Sequence, residues 1–303
     1  MIEAERLSRR YGDFVAVDDV SFKIGAGEIV GLLGHNGAGK TTIMKMLTGY
    51  LEPSSGQARI AGIEVESDRQ AAQFKLGYLP ENLPLYPEMM VADYLCYVAN
   101  LRGVEAQTAV KRAIAETELQ DKALAPIATL SRGFKQRVGV AQAIIHEPAC
   151  LILDEPTNGL DPGQTQHMRE LITRLSERAT VILSTHIMQE VDAICDRALI
   201  LRGGALVLDE RLEDLQSSNR LRLRSEAAAS LLEPLRQLAP IDSAIQIAPG
   251  QFELAGRGEL DAMAAAVARL CAEAEAPLYE LSGVKRDLES VFREANEGAK
   301  HAI

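Results

Sequence analysis

Gly34-His35-Asn36-Gly37-Ala38-Gly39-Lys40-Thr41-Thr42 sets glycines, a lysine and two hydroxyls at the spacing of a complete phosphate-binding loop. Glycines keep side chains out of a tight turn, so successive backbone N–H groups face phosphate oxygens with the positive end of a helix behind them. Lys40 adds a full charge near the β- and γ-phosphates, and the Thr41 hydroxyl is placed to ligand Mg²⁺. A second chemical pair is Asp154-Glu155, adjacent acids that close the apolar run Cys150 to Leu153. Because the chain turns there, the carboxylates take different tasks. Asp154 holds Mg²⁺ and Glu155 polarises an attacking water, a general-base contribution of about 10²- to 10⁴-fold in rate. An Asp-Glu pair after a strand is common at surfaces, and it is the upstream loop that gives this one its chemical reading. Ser131 is a good helix N-cap. With Gly133 it opens a helix whose N–H groups and serine hydroxyl form a second anion-binding pole.

These residues need strands that end together and helices that begin where the strands end. Glu28 to Leu33 reads as a strand running into the loop, and Ile43 to Leu47 continues the helix behind it. Cys150 to Asp154 and Thr180 to Ser184 are continuous apolar runs of the kind buried parallel strands show, delivering Asp154, Thr185 and His186 to one carboxyl edge. Gly163 to Glu177 between them is helical, which makes a crossover unit. Upstream, Ile2 to Leu7 and Phe14 to Ile24 alternate as strands joined by a turn at Tyr11-Gly12-Asp13. Residues 83–145 form a mostly helical insert, including Glu105 to Leu119. Gly203-Gly204 turns a closing hairpin. The expected fold is α/β: a P-loop nucleotide-binding domain over 1–218 with an antiparallel β subdomain and the helical insert. A small C-terminal α+β domain over 219–303 follows, in the order βαββαβ plus a final helix from Lys285 to Ala295. Arg220, Arg222 and Arg224 on its first strand read as a solvated edge.

Composition narrows the partners. A chain of 303 residues with a net charge of −11 lacks the basic balance of a phosphate-backbone binder, so no nucleic acid is expected. Cys96, Cys150, Cys195 and Cys271 are scattered without a CxxC pair, which fits a reducing compartment and suggests neither zinc nor disulfides. The first residues lack an apolar signal core, and no run of 18 or more apolar residues exists, so contact with a membrane is expected only through a partner.

Leu130-Ser131-Arg132-Gly133-Phe134-Lys135-Gln136-Arg137 resembles the ATP-binding cassette (ABC) signature, with Arg132 and Phe134 departing from its commonest form. The resemblance covers about residues 2–213 and implies an ATPase with ATP and Mg²⁺ as cofactors. It implies that Tyr11 stacks on adenine, that Asn158-Gly159-Leu160-Asp161 crosses a dimer seam, and that His186 contacts the γ-phosphate and the attacking water. Ser131 and Gly133 would face nucleotide held by a second copy, so the chain is expected to work as a homodimer. Glu81 stands where most cassettes have a glutamine that links Mg²⁺ and water to the membrane-facing groove, and is expected to keep that metal-sensing role. Gly77 to Asn82 with Pro84-Leu85-Tyr86 resembles the gliding-motility branch of exporter ATPases, GldA, and Leu281 to Phe292 resembles the C-terminal extension of that class. The implied role is the ATP-hydrolysing subunit of an ABC-2 type exporter, cytoplasmic and peripheral on the membrane through integral-membrane permease subunits. The competing class is a soluble ABC-type ATPase that remodels a macromolecular complex. Leu83, Leu85, Tyr86, Met89, Met90, Val91, Tyr94 and Leu95 form an apolar cluster that either receives a helix of the membrane partner or packs the core of the insert.

Overall fold

The computed structural model describes residues 1–216, 220–225, 228–284, 288 and 292. The chain divides into two compact units, one spanning Met1–Leu212 and the other beginning at Glu213. In the first unit, β1 (Ile2–Tyr11) and β2 (Phe14–Ile24) form a hairpin, followed by β3 (Ile29–Leu33), α1 (Lys40–Leu47), β4 (Ser55–Ile60), β5 (Ile63–Glu64), α2 (Arg69–Phe74) and β6 (Leu76–Leu79). The insert contributes α3 (Val91–Leu101), α4 (Ala106–Glu116) and α5 (Arg132–Ile144). Next come β7 (Cys150–Asp154), α6 (Pro162–Ser176), β8 (Thr180–Thr185), α7 (Met188–Ile194), β9 (Arg197–Arg202) and β10 (Ala205–Arg211), and α8 (Leu212–Gln216) runs across the division between the units.

The six-stranded sheet has the order β10-β9-β3-β8-β7-β6. Its inner pairs are parallel, and the β9–β10 hairpin closes one edge antiparallel. Every residue of β3, β7 and β8 is buried, as expected of strands covered on both faces. Alternate side chains go to opposite cores: Leu151, Leu153, Val181 and Leu183 pack with the helices of the insert and α6. Ile152, Ile182, Val30 and Leu32 pack with α1 and the four-stranded antiparallel sheet β2-β1-β4-β5. That period of two anchors both faces, so a one-residue slip would exchange the cores.

Helix starts are set locally. Ser131 caps α5 by accepting from the Phe134 N–H. Asp161 caps α6 by accepting from the Gln164 N–H at 2.9 Å, with Pro162 as the first helical residue. Glu105 caps α4 with both carboxylate oxygens, and those hydrogen bonds hold its pKa below the ordinary value.

The second unit comprises β11 (Arg220–Arg224), α9 (Ala228–Arg236), β12 (Ile241–Ala248), β13 (Gln251–Gly256), α10 (Leu260–Glu273) and β14 (Glu280–Gly283). Its sheet order is β12-β13-β11-β14, with every neighbouring pair antiparallel, which is the split βαβ arrangement. Leu221, Leu223, Phe252 and Leu254 pack on Leu231, Leu235, Met263 and Val267. One expectation is corrected here: β11 is an inner strand, so Arg220, Arg222 and Arg224 do not form an edge. They alternate with buried Leu221 and Leu223 and stand on the outer sheet face. There Arg220 pairs with Glu253 at 2.9 Å, and Arg224 reaches Glu280 at 4.0 Å and the Tyr279 ring. Apart from Leu288 and Phe292, the expected helix from Lys285 to Ala295 lies outside the described residues.

Candidate functional site

Backbone geometry explains the glycines of the 34–42 loop. A Cβ on Gly34 would lie 2.9 Å from both Ala38 Cβ and the Leu201 carbonyl oxygen, and Gly39 adopts φ 108° with Ala16 O only 2.7 Å from where a Cβ would stand. Larger residues would displace backbone at both positions. The loop closes through Ala38 N–H to His35 O at 3.0 Å, and Gly39 O accepts the first helical bond, from Ile43 N–H. Lys40 is buried, and its Nζ donates to Gly34 O at 2.6 Å and His35 O at 3.4 Å. Burial lowers its pKa, while the charges of Glu155, Asp154 and Glu81 act in the opposite direction.

The parallel register of β7 and β8 sets Asp154 opposite Ser184. Ser184 Oγ donates to Asp154 Oδ1, and the buried Oδ2 has no hydrogen-bond partner. Burial raises the Asp154 pKa against the lowering effect of the Ser184 hydrogen bond. Immediately beyond, Glu155 takes φ 51°, an uncommon conformation for a residue with a side chain. Its N–H donates to Ser184 O and Ser184 Oγ, both at 3.1 Å. The turn directs its carboxylate to His186, whose Nδ1 stands 3.0 and 3.1 Å from the two oxygens. With Glu155 ionised, that nitrogen carries the shared proton. Burial also raises the Glu155 pKa, and His186 opposes the shift.

A cavity of about 420 Å³ joins these parts, lined by Tyr11, Phe14, Ala16, residues 35–42, Glu81 and Glu155. Of the expected site residues it gathers Tyr11, Asn36, Gly37, Ala38, Gly39, Lys40, Thr41, Thr42, Glu81 and Glu155. Asp154, Gly34 and His186 adjoin it through the contacts above. Ser131, Gly133 and Asp161 do not line it; they meet elsewhere, where a Cβ on Gly133 would strike the Gln164 side chain of α6 and one on Gly159 the Arg132 guanidinium.

The donor set fits a magnesium ion. A buried carboxylate oxygen lacks a partner, the Thr41 hydroxyl is near enough to act on the Asp154 pKa, and three carboxylates outnumber the one lysine. Among the described residues no group of three or more His, Cys, Asp or Glu holds a metal alone. Mg²⁺ commonly binds through one or two carboxylates together with substrate phosphates.

Several contacts were missed in the sequence. Phe14, an aromatic residue at the start of β2, lines the cavity beside Tyr11, and its spacing from Tyr11 is a signal that was present. Ser184 is recognisable only from the strand register. The apolar cluster of the insert splits: Val91, Tyr94 and Leu95 are core, and Leu83, Leu85 and Met89 pack against it. Only Tyr86 and Met90 of that cluster remain 45% and 43% exposed, and they are joined by Tyr97 at 41%, edge-on to Tyr86.

The chain is similar to known ATP-binding proteins. The ABC transporter family profile matches residues 17–158. The linearmycin resistance ATP-binding protein of Bacillus subtilis is 35% identical over 72% of this chain and 71% of its own length. The bacitracin transport ATP-binding protein of Enterococcus faecalis is 35% identical over 73% of this chain and 72% of its own. A dimeric ATP-binding cassette solved in a post-hydrolysis state with ADP and Pi superposes with a TM-score of 0.64 at 22% identity, covering 70% of this chain and 98% of that one. With identity at this level over most of the relatives' length, and a phosphate loop facing a carboxylate–histidine pair, the chain belongs to the ABC transporter family as an ATP-binding subunit that hydrolyses ATP.

Proposed function

We propose that two copies of this chain drive an ABC-2 type membrane exporter by closing on a pair of Mg²⁺-bound ATP molecules and reopening after hydrolysis. The observation that carries this reading is the convergence of Lys40, Asp154, Glu155 and His186 at one sheet edge, with a buried Asp154 oxygen left over for a metal. Tyr11 stacks on the adenine. The N–H groups of the loop from Gly34 to Thr42 hold the phosphates, and Lys40 exchanges its carbonyl contacts for phosphate oxygens. Thr41 and Asp154 would hold Mg²⁺, with Glu81 beside them, and the bound ion would supply screening of the phosphate charge and polarisation of the γ-phosphoryl group. Glu155 accepts a proton from water as the water oxygen bonds to the γ-phosphorus and the bond to the ADP oxygen breaks. His186 orients Glu155 and faces the γ-phosphate.

Each chain carries one phosphate loop and one signature, and Ser131, Gly133 and Asp161 lie away from the loop's own cavity. They act on nucleotide held by the second copy, and loss of the γ-phosphate removes the charge that both poles share. The dimeric form of a structurally similar cassette supports this arrangement. Among the described residues no helix is long and apolar enough to cross a membrane. In this reading the pair works on integral-membrane permease subunits from the cytoplasmic face. The exposed trio Tyr86, Met90 and Tyr97 is the docking surface. Export is favoured by the resistance and transport roles of the linearmycin and bacitracin relatives, and the gliding-motility branch within it by the stretch from Gly77 to Tyr86. The C-terminal unit is an accessory domain.

The purified chain with Mg²⁺ and ATP provides the test. Lys40→Ala is expected to weaken nucleotide binding, whereas Glu155→Gln is expected to bind ATP and fail to turn it over. Parent-like turnover in Glu155→Gln would overturn the assignment. Tyr86→Asp with Tyr97→Asp is expected to abolish co-purification with the permease while leaving ATP binding intact.

A further inference from the structure

Behind Glu155 and His186 lies a second carboxylate that the hydrolysis chemistry does not use. Glu190, in the first turn of α7, is 3% exposed. It accepts hydrogen bonds from the hydroxyls of Thr157 and Thr185, the latter at 2.8 Å. Thr157 is buried two residues after Glu155, in a turn closed by Asn158 N–H to Glu155 O at 3.2 Å. Thr185 is the last residue of β8, directly before His186, and its Oγ1 also accepts from the Ile187 N–H at 3.1 Å.

A buried carboxylate is a costly way to fill space, and an apolar side chain would pack at lower free energy. What the carboxylate supplies is acceptance alone, at two oxygens. Both threonine hydroxyl protons can therefore be committed to one side chain, in a chain running from Ile187 N–H through Thr185 to Glu190 and back from Thr157. Such a network fixes its members more firmly than separate bonds do. Its two arms end beside the two residues that meet at 3.0 Å in the site.

We propose that Glu190 is a positioning residue for ATP hydrolysis, tying the turn that carries Glu155 to the strand end that carries His186 and thereby setting their contact. The inference rests on Glu155 being the general base. Glu190 does not line the cavity, so its loss acts on turnover and spares nucleotide binding.

The test measures steady-state turnover and ATP affinity of the full chain in Glu190→Leu, Glu190→Gln, Thr157→Val and Thr185→Val, beside the parent and Glu155→Gln. Glu190→Leu is expected to lower kcat about tenfold or more, since small misplacements of reacting groups cost up to ~10²-fold, with ATP affinity within about twofold of the parent. Glu190→Gln, which keeps one acceptor and the side-chain volume, is expected to recover part of the loss. Each valine variant is expected to reduce kcat about threefold, with no further loss when combined with Glu190→Leu, as members of one network behave. If Glu190→Leu does not fold, the near-isosteric valine variants and Glu190→Gln decide. Parent-like kcat in those three, or affinity falling in step with kcat, overturns the proposal. Turnover that survives Glu155→Gln overturns the underlying assignment instead, whatever the Glu190 variants do.

Discussion

The carboxyl edge of the six-stranded sheet and the outer face of the four-stranded sheet both carry rows of charge, and they handle it in opposite ways. At the first, Lys40, Asp154 and Glu155 are buried and their pKa values are displaced by desolvation. One Asp154 oxygen is left without a partner. At the second, Arg220 and Arg224 stand half in solvent, each beside an acid on the neighbouring strand. A parallel sheet ends in loops, so charges at its edge meet whatever the loops enclose. An antiparallel ladder sets residues directly opposite, so charges on its face find compensation within the sheet. Uncompensated charge in a cavity is a requirement for a ligand, and compensated charge on a face is architecture.

The sharpest way to break that contrast is Glu155→Gln. The expected loss of turnover is about 10²- to 10⁴-fold, read in a phosphate-release assay with ATP binding measured in parallel. Phe252→Ala, deep in the core of the second unit, is expected to cost ~3–5 kcal/mol of stability. Thermal unfolding would show it, while ATP affinity in the first unit stays unchanged.

Acidity provides a third probe. Burial raises the Glu155 pKa above the ordinary 4.5, and only the ionised form accepts a proton. Turnover is therefore expected to fall about tenfold per pH unit below the raised value, with the acid limb displaced upward from that of a free glutamate. A limb at or below the ordinary value would contradict the burial argument. Tyr11→Ala should weaken ATP binding by an amount in line with base stacking, ~1–3 kcal/mol, measurable by titration calorimetry. The smallest effect is expected from Arg220→Ala: an exposed pair contributes at most ~1 kcal/mol, so stability should fall slightly and hydrolysis not at all.

What was legible in the sequence was local. The 34–42 loop needs neighbouring residues only, and Asp154 announces itself by ending an apolar run. The capping role of Ser131 follows from residue type and the helix behind it, whereas the Asp161 cap emerged only from the structure. Non-local pairing was hidden. Ser184 meets Asp154 only because β7 and β8 lie side by side in one register. The arginines of β11 looked like an edge because strand order is a tertiary property, and β13 and β14 close on both sides of it. The apolar cluster of the insert was visible in the sequence, but not that its Val91, Tyr94 and Leu95 face the core while its Tyr86 and Met90 do not.

The most direct test of ATP-driven pairing is the mass of Glu155→Gln in solution, followed by light scattering with and without Mg²⁺ and ATP. The account predicts one chain in the absence of nucleotide and two chains when ATP is saturating, with reversal on its removal. A mass that stays at one chain under saturating ATP, in protein shown to have bound it, would contradict the account.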